Sequence, residues 1–296
     1  MIRALTIIVF GTLLVAAVLT PPVYSALGHF LGEVPWPYSR VYNRIAMLVL
    51  LVLIYLMRRE FSLSQLWGYY RRERLHREYQ PLLAAVVLTV AAPLCVLPFM
   101  VGDGRLEWLN RDFLQYALRF AEVAPAALLI SILEESFFRV LVFQRLQANL
   151  KLPFAVAICS LIYAFVHFIS PAKQWQYPGY SVTIGFEYLG AVFERMLLPG
   201  VLPVAVGLFL VGAVLCMVIW RTHSLLLCIG LHAGWVIATK LAGFGTQKTS
   251  SFAYLEGAGR NNFLLAEPLA WLSIVLVGVI VLWGFTRIWS RSFSAA

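Results

Sequence analysis

The chain has 296 residues, of which 61% are hydrophobic and 12% charged, with a net charge of +9 and a mean hydropathy of +0.82. Soluble domains hold about 45–50% apolar and about 25% charged residues. A water-soluble globule, a disordered chain, a coiled coil and a secreted disulfide scaffold are therefore excluded, and the bilayer is the expected solvent.

A spanning helix needs about 20 mostly apolar residues. Eight segments come close: 4–20, 41–57, 82–101, 113–133, 152–170, 201–220, 224–243 and 268–286. The expected architecture is an all-α polytopic membrane protein, with about eight transmembrane helices in one domain over 1–296 and a buried intramembrane site. The first segment resembles a signal peptide, with Arg3, an apolar stretch and small residues at Ser25 and Ala26. Pro21 and Pro22 break the usual approach to a cleavage site, so it is read as a retained helix.

Segment 58–80 carries six arginines among aromatic residues and reads as a basic cytoplasmic loop or an interfacial helix. With an even number of spans, both termini are expected in the cytoplasm. Spread over short loops, the positive charge reports orientation, and no nucleic-acid partner is expected. Loop 171–199 holds Trp175, Tyr177, Tyr180, Phe186, Tyr188 and Phe193 among Pro and Gly, which suits an aromatic belt or a re-entrant lid. Cys95, Cys159, Cys216 and Cys228 all lie in apolar runs without CxxC spacing, so neither a zinc knuckle nor a disulfide framework is indicated. No internal repeat supports an inverted-repeat transporter.

Charges at membrane depth are costly, about 2.5–3.5 kcal/mol each on insertion scales. The fourth segment runs into LEESFFRVLVFQRL (133–146). Glu135 and Arg139 stand at i and i+4, with the acid on the N-terminal side, the better order for an ion pair. Glu134 points about 100° round the helix, meets Phe138 at i+4, and has no local cation. It therefore needs a partner on another helix. The fifth segment carries Tyr163 and His167 at i and i+4. An antiparallel hairpin turning near Lys151 and Pro153 brings His167 to the level of Glu134. The seventh segment adds His232 beside small Ala233 and Gly234, with Val236 at i+4 and Thr239 at i+7 on the same face. His223, Arg119 and Glu122 are read as interfacial or scaffold residues.

A glutamate and two histidines from three helices allow three chemistries. One is general-base activation of water with imidazole support. A second is zinc binding by Glu134, His167 and His232, although HExxH is absent. A third is a proton relay in a transporter.

EE-x-x-x-R, then an aromatic-x-x-x-His, then a His with a fourth-position partner, each on its own span, resembles the CPBP family. That family includes the CAAX prenyl endopeptidases of the Ras-converting type, and the resemblance covers about residues 113–243. It implies an intramembrane glutamic-type endopeptidase acting on a transmembrane or C-terminal tail peptide, in contact with membrane lipid and without a required cofactor. Glu134 is then the acid–base, Glu135 the second motif acid and Arg139 the motif arginine. His167 assists in activating water and His232 stabilises the oxyanion. Tyr163 stands where the family most often has Phe. Val236 stands where prenyl proteases of this type have Asn, and valine cannot donate to an oxyanion; Thr239, Tyr163 or a backbone N–H are the replacements. Without N-x-[ST] sites or disulfide logic, a bacterial inner membrane is the expected location. The alternative reading is a non-catalytic immunity or partner-binding membrane protein of the same fold.

Overall fold

The computed structural model describes residues 2–58, 63–72, 75–169, 175–249 and 263–293. In chain order the helices are α1 (Ile2–Leu31), α2 (Tyr38–Leu56), α3 (Leu63–Arg72), α4 (Leu75–Leu94), α5 (Leu97–Gly102) and α6 (Phe113–Glu135). A π-helical stretch, Ser136–Phe143, continues α6 directly into α7 (Gln144–Gln147). Then follow α8 (Leu152–Val166), α9 (Ile184–Met196), α10 (Val201–Thr222), α11 (Leu225–Gly245) and α12 (Pro268–Phe293). Two short strands, β1 (Leu106–Trp108) and β2 (Thr246–Lys248), pair antiparallel.

Each of the eight apolar segments overlaps a helix. Five described stretches are long and apolar enough to cross a bilayer: Thr6–Leu31, Tyr38–Leu56, Tyr79–Gly102, Val201–Thr222 and Leu225–Gly245. Leu152–Val166 and Pro268–Gly284 are apolar but shorter. α6 has 23 residues and carries Arg119, Glu122, Glu134 and Glu135. Outward-facing apolar side chains such as Leu48, Leu51 and Val52 on α2, Val87 on α4 and Val279 on α12 are exposed. Such surfaces suit lipid contact rather than water. The chain is a predominantly α-helical, polytopic integral membrane protein.

Two compact units are present, 1–63 with 166–198 and 64–165 with 199–296. In the first, α1 packs against α2 and α9. The Tyr42 hydroxyl donates to the Leu13 carbonyl at 2.9 Å, and Gly185 lets α9 approach the Ala17 carbonyl where a Cβ would collide. The aromatic segment read as a belt or lid contains a helix, α9. Trp175, Tyr177 and Tyr188 from this segment pack on Tyr38, while Tyr180, Phe186 and Phe193 are exposed.

In the second unit α11 is the central helix, packed on α4, α6 and α10 and buried along most of its length. Ser224 caps its start by accepting from the Leu227 N–H. The preceding His223 takes a left-handed φ of 54°, which turns the chain sharply out of α10. Asp112 and Gln115 form a capping box at the start of α6. The pair Arg119–Glu122 lies on the exposed side of α6. The two strands place Arg105 beside Asp103 and the buried Glu267, an ion-pair cluster that no local spacing announces.

Close packing between α11 and α4 depends on glycine. A Cβ at Gly234 would meet the Val86 carbonyl oxygen at 2.7 Å and Thr89 Cβ at 3.0 Å, and would overlap the Thr89 hydroxyl. The Val86 oxygen is backbone and cannot step aside. Gly234→Ala is therefore expected to cost about 1–3 kcal/mol, the usual range for overpacking, read as a lower Tm in detergent. An unchanged Tm would show that α4 and α11 separate freely.

Candidate active site

Five groups converge in the second unit, from α6, the π-helical stretch, α8 and α11: Glu134, Glu135, Arg139, Tyr163 and His232. Glu135 is the last residue of α6, and Arg139 sits one turn later in the π-helical stretch. Glu135 Oε2 accepts from Arg139 Nε at 2.7 Å, and both side chains are fully buried. The i, i+4 order thus gives a local ion pair. The other carboxylate oxygen, Oε1, lies 2.8 Å from His232 Nδ1 on α11. A carboxylate can only accept, so Nδ1 carries a proton, and the ring is fixed with Nε2 turned the other way.

His232 Nε2 has two polar neighbours, the Tyr163 hydroxyl at 3.4 Å and Glu134 Oε2 at 3.8 Å. Glu134 keeps 30% of its side-chain surface exposed, whereas Glu135 keeps none. The two adjacent acids therefore occupy different environments, as their angular separation on the helix demands. A water bridging Glu134 and Nε2 closes a short triangle on that 3.8 Å base, within single-water reach of both groups.

Behind the site, Arg139 Nη1 donates to the Gly212 carbonyl at 3.3 Å and lies 3.0 Å from Cys216 Sγ. Its guanidinium stands 5.2 Å from the Tyr163 ring centroid. Tyr163 in turn meets Phe138 edge to face, with centroids 5.1 Å apart. Cys159 Sγ lies 3.5 Å from the Phe138 carbonyl. These contacts make the stretch 136–143 and α8 the antiparallel hairpin that the turn near Lys151 predicts.

The segment after Glu135 is held from outside by α3. Tyr70 and Ser136 share a hydroxyl–hydroxyl bond of 2.6 Å, and Gln144 Nε2 donates to the Tyr69 hydroxyl at 3.0 Å. Part of the basic stretch 58–80 is therefore a helix whose tyrosines grip both ends of the π-helical turn. Residues 59–62 and 73–74 lie outside the described ones.

The remaining expected residues fall as follows. Helix α8 ends at Val166, four residues short of the predicted segment end, so His167 lies one residue past it. The sequence has a proline at 171, and proline lacks the N–H that a continuing helix needs. His167 belongs to the first unit. Val236 packs with an apolar cluster of Val123, Ala127 and Ile237. The Thr239 hydroxyl donates to the Val236 carbonyl at 2.9 Å, so its proton is already committed. Among the described residues, no group of three or more His, Cys, Asp or Glu side chains is disposed to hold a metal ion.

Sequence reasoning missed two features of this site. The bond from Glu135 to His232 spans 97 residues and has no local signature. The π-helical geometry of 136–143 also has none, although π turns are found often at functional sites.

Residues 114–238 match the family model described as type II CAAX prenyl endopeptidase Rce1-like. Over this segment, which is less than half of the chain, the protein is similar to the Rce1-like family. The segment contains Glu134, Glu135, Arg139, Tyr163, His167, His232 and Val236. The similarity is to a family of protease-like proteins. No curated protein and no solved structure matches the chain.

Proposed function

We propose that the protein is an intramembrane endopeptidase that hydrolyses a peptide bond in a membrane-embedded or C-terminal tail substrate. The observation that carries this reading is the approach of Glu134 Oε2 to 3.8 Å from His232 Nε2, with Glu135 holding the other ring nitrogen. The Glu134 carboxylate, whose side chain stays 30% exposed although Oε2 itself is buried, takes a proton from water. The resulting hydroxide attacks the substrate carbonyl. The oxygen that becomes negative is stabilised by His232 as an imidazolium, with Nδ1–H held on Glu135 and Nε2–H donating to the oxyanion. Glu134 then passes its proton to the departing amine, so the cycle closes without net consumption of protons. His167 assists in activating water, a role that rests on the family resemblance.

Eight membrane crossings with both termini in the cytoplasm are supported by the five helices long and apolar enough to span, the two shorter apolar ones and the basic stretch 58–80. A reporter fused after Ala296 should be active only when it reports a cytoplasmic location. Periplasmic activity would reverse the orientation.

The direct test is cleavage by purified protein in liposomes of two internally quenched peptides, one a prenylated CAAX tail and the other an apolar transmembrane tail. Cleavage of either supports the reading. If neither is cut, the non-catalytic partner-binding alternative stands, which the absent donor at Val236 favours.

A further inference from the structure

Under the peptidase reading, which this inference deepens, one imidazole is left to stabilise the oxyanion, and of the side chains that could supply a second donor one stands beside it. Val236 has no polar atom and packs among Val123, Ala127 and Ile237. Thr239 gives its proton to the Val236 carbonyl. The Tyr163 hydroxyl, by contrast, lies beside the one imidazole nitrogen that faces the acid. We infer that the Tyr163 hydroxyl is a catalytic group, donating together with His232 Nε2 to the developing oxyanion.

Geometry supports a shared target. Oxyanion donors sit about 2.7–3.1 Å from the negative oxygen. Two donors 3.4 Å apart can both meet that distance from a single oxygen, since the three atoms close an ordinary triangle. The ring is also fixed before any substrate arrives. Tyr163 is 1% exposed, its edge meets Phe138, and the Arg139 guanidinium stands beside its ring. The same Arg139 holds Glu135, which holds His232. Both donors are therefore held by one buried ion pair, and little reorganisation is needed when charge develops. The hydroxyl keeps its proton throughout: it donates a hydrogen bond and transfers nothing, so the atom and charge balance of hydrolysis is unaltered.

Tyr163→Phe tests this, because it keeps the ring with its Phe138 and Arg139 contacts and removes only the oxygen. With the two quenched peptides, kcat per folded molecule is expected to fall by about 100–1,000-fold, the loss seen when one oxyanion donor is removed. KM should stay within about threefold, since the interaction is made only in the transition state. Tm should match the wild type. A kcat within threefold of wild type overturns the inference, and so does a lower Tm with unchanged turnover of the folded fraction. Wild type and Glu134→Gln are run alongside. If wild type cuts neither peptide, the peptidase reading fails and takes this inference with it. If wild type cuts and Tyr163→Phe cuts equally well, the reading stands and this inference alone fails.

Discussion

Glu134→Gln is expected to abolish turnover of any peptide that the wild type cleaves, while yield and Tm remain those of the wild type. The substitution preserves shape and hydrogen-bonding capacity but removes the base. Glu134 is partly exposed and is not part of the buried Glu135–Arg139 pair, so little packing depends on its charge. General-base assistance contributes about 10²–10⁴-fold. Loss of the proton carrier to the leaving amine adds to this, so residual activity should fall below detection in a quenched-peptide assay. His232→Ala should also lose activity steeply, because it removes the oxyanion donor and leaves Glu135 with an empty neighbour. Retained turnover in Glu134→Gln would sink the assignment of the base, whatever the other variants do.

The second large effect is on stability. Glu135→Gln leaves the Arg139 charge fully buried without a counter-ion and removes the anionic partner of His232. Breaking one side of a buried pair costs about 3–5 kcal/mol, and the thermal transition in detergent should fall accordingly. Arg139→Met should cost less, because Glu135 still has His232 on its other oxygen at 2.8 Å. The double variant should be more stable than Glu135→Gln alone, since it no longer strands the guanidinium. Turnover of Glu135→Gln falls as well, through the imidazole it orients. A Glu135→Gln protein with wild-type Tm would show that the ion pair does not hold the hairpin.

These two predictions divide the acids much as the helix angle does, and the division was readable from spacing. Glu135 has Arg139 one turn on, whereas Glu134 has Phe138. The apolar lengths located helices for the same reason, because the bilayer demands a long apolar stretch in each span, and five of the described helices meet that demand. Local spacing could not reveal that Glu135 serves two partners, since its bond to His232 depends on how α11 packs against α6. The π-helical turn, the grip of Tyr69 and Tyr70 on its ends, and the Arg105–Glu267 contact depend likewise on tertiary neighbours. Helix α9 was hidden because its segment is rich in aromatics, Pro and Gly, which read as loop. The early end of α8 was visible in Pro171, and the length of the apolar run overrode that signal.

The pairing of Glu135 with Arg139 inside a single helical segment also bears on how the chain is made. Helices α4, α6 and α10 all leave the ribosome before α11, which is the helix they enclose. In the eight-span reading, α6 and its π-helical extension enter the bilayer before His232 has been synthesised. An acid and a base facing hydrocarbon separately would each oppose insertion by about 2.5–3.5 kcal/mol. Placed one turn apart, they enter as a pair that already neutralises itself. The imidazole arrives later, carried on a helix whose slot is by then lined with finished neighbours. The order of synthesis therefore matches the order in which the charges need company.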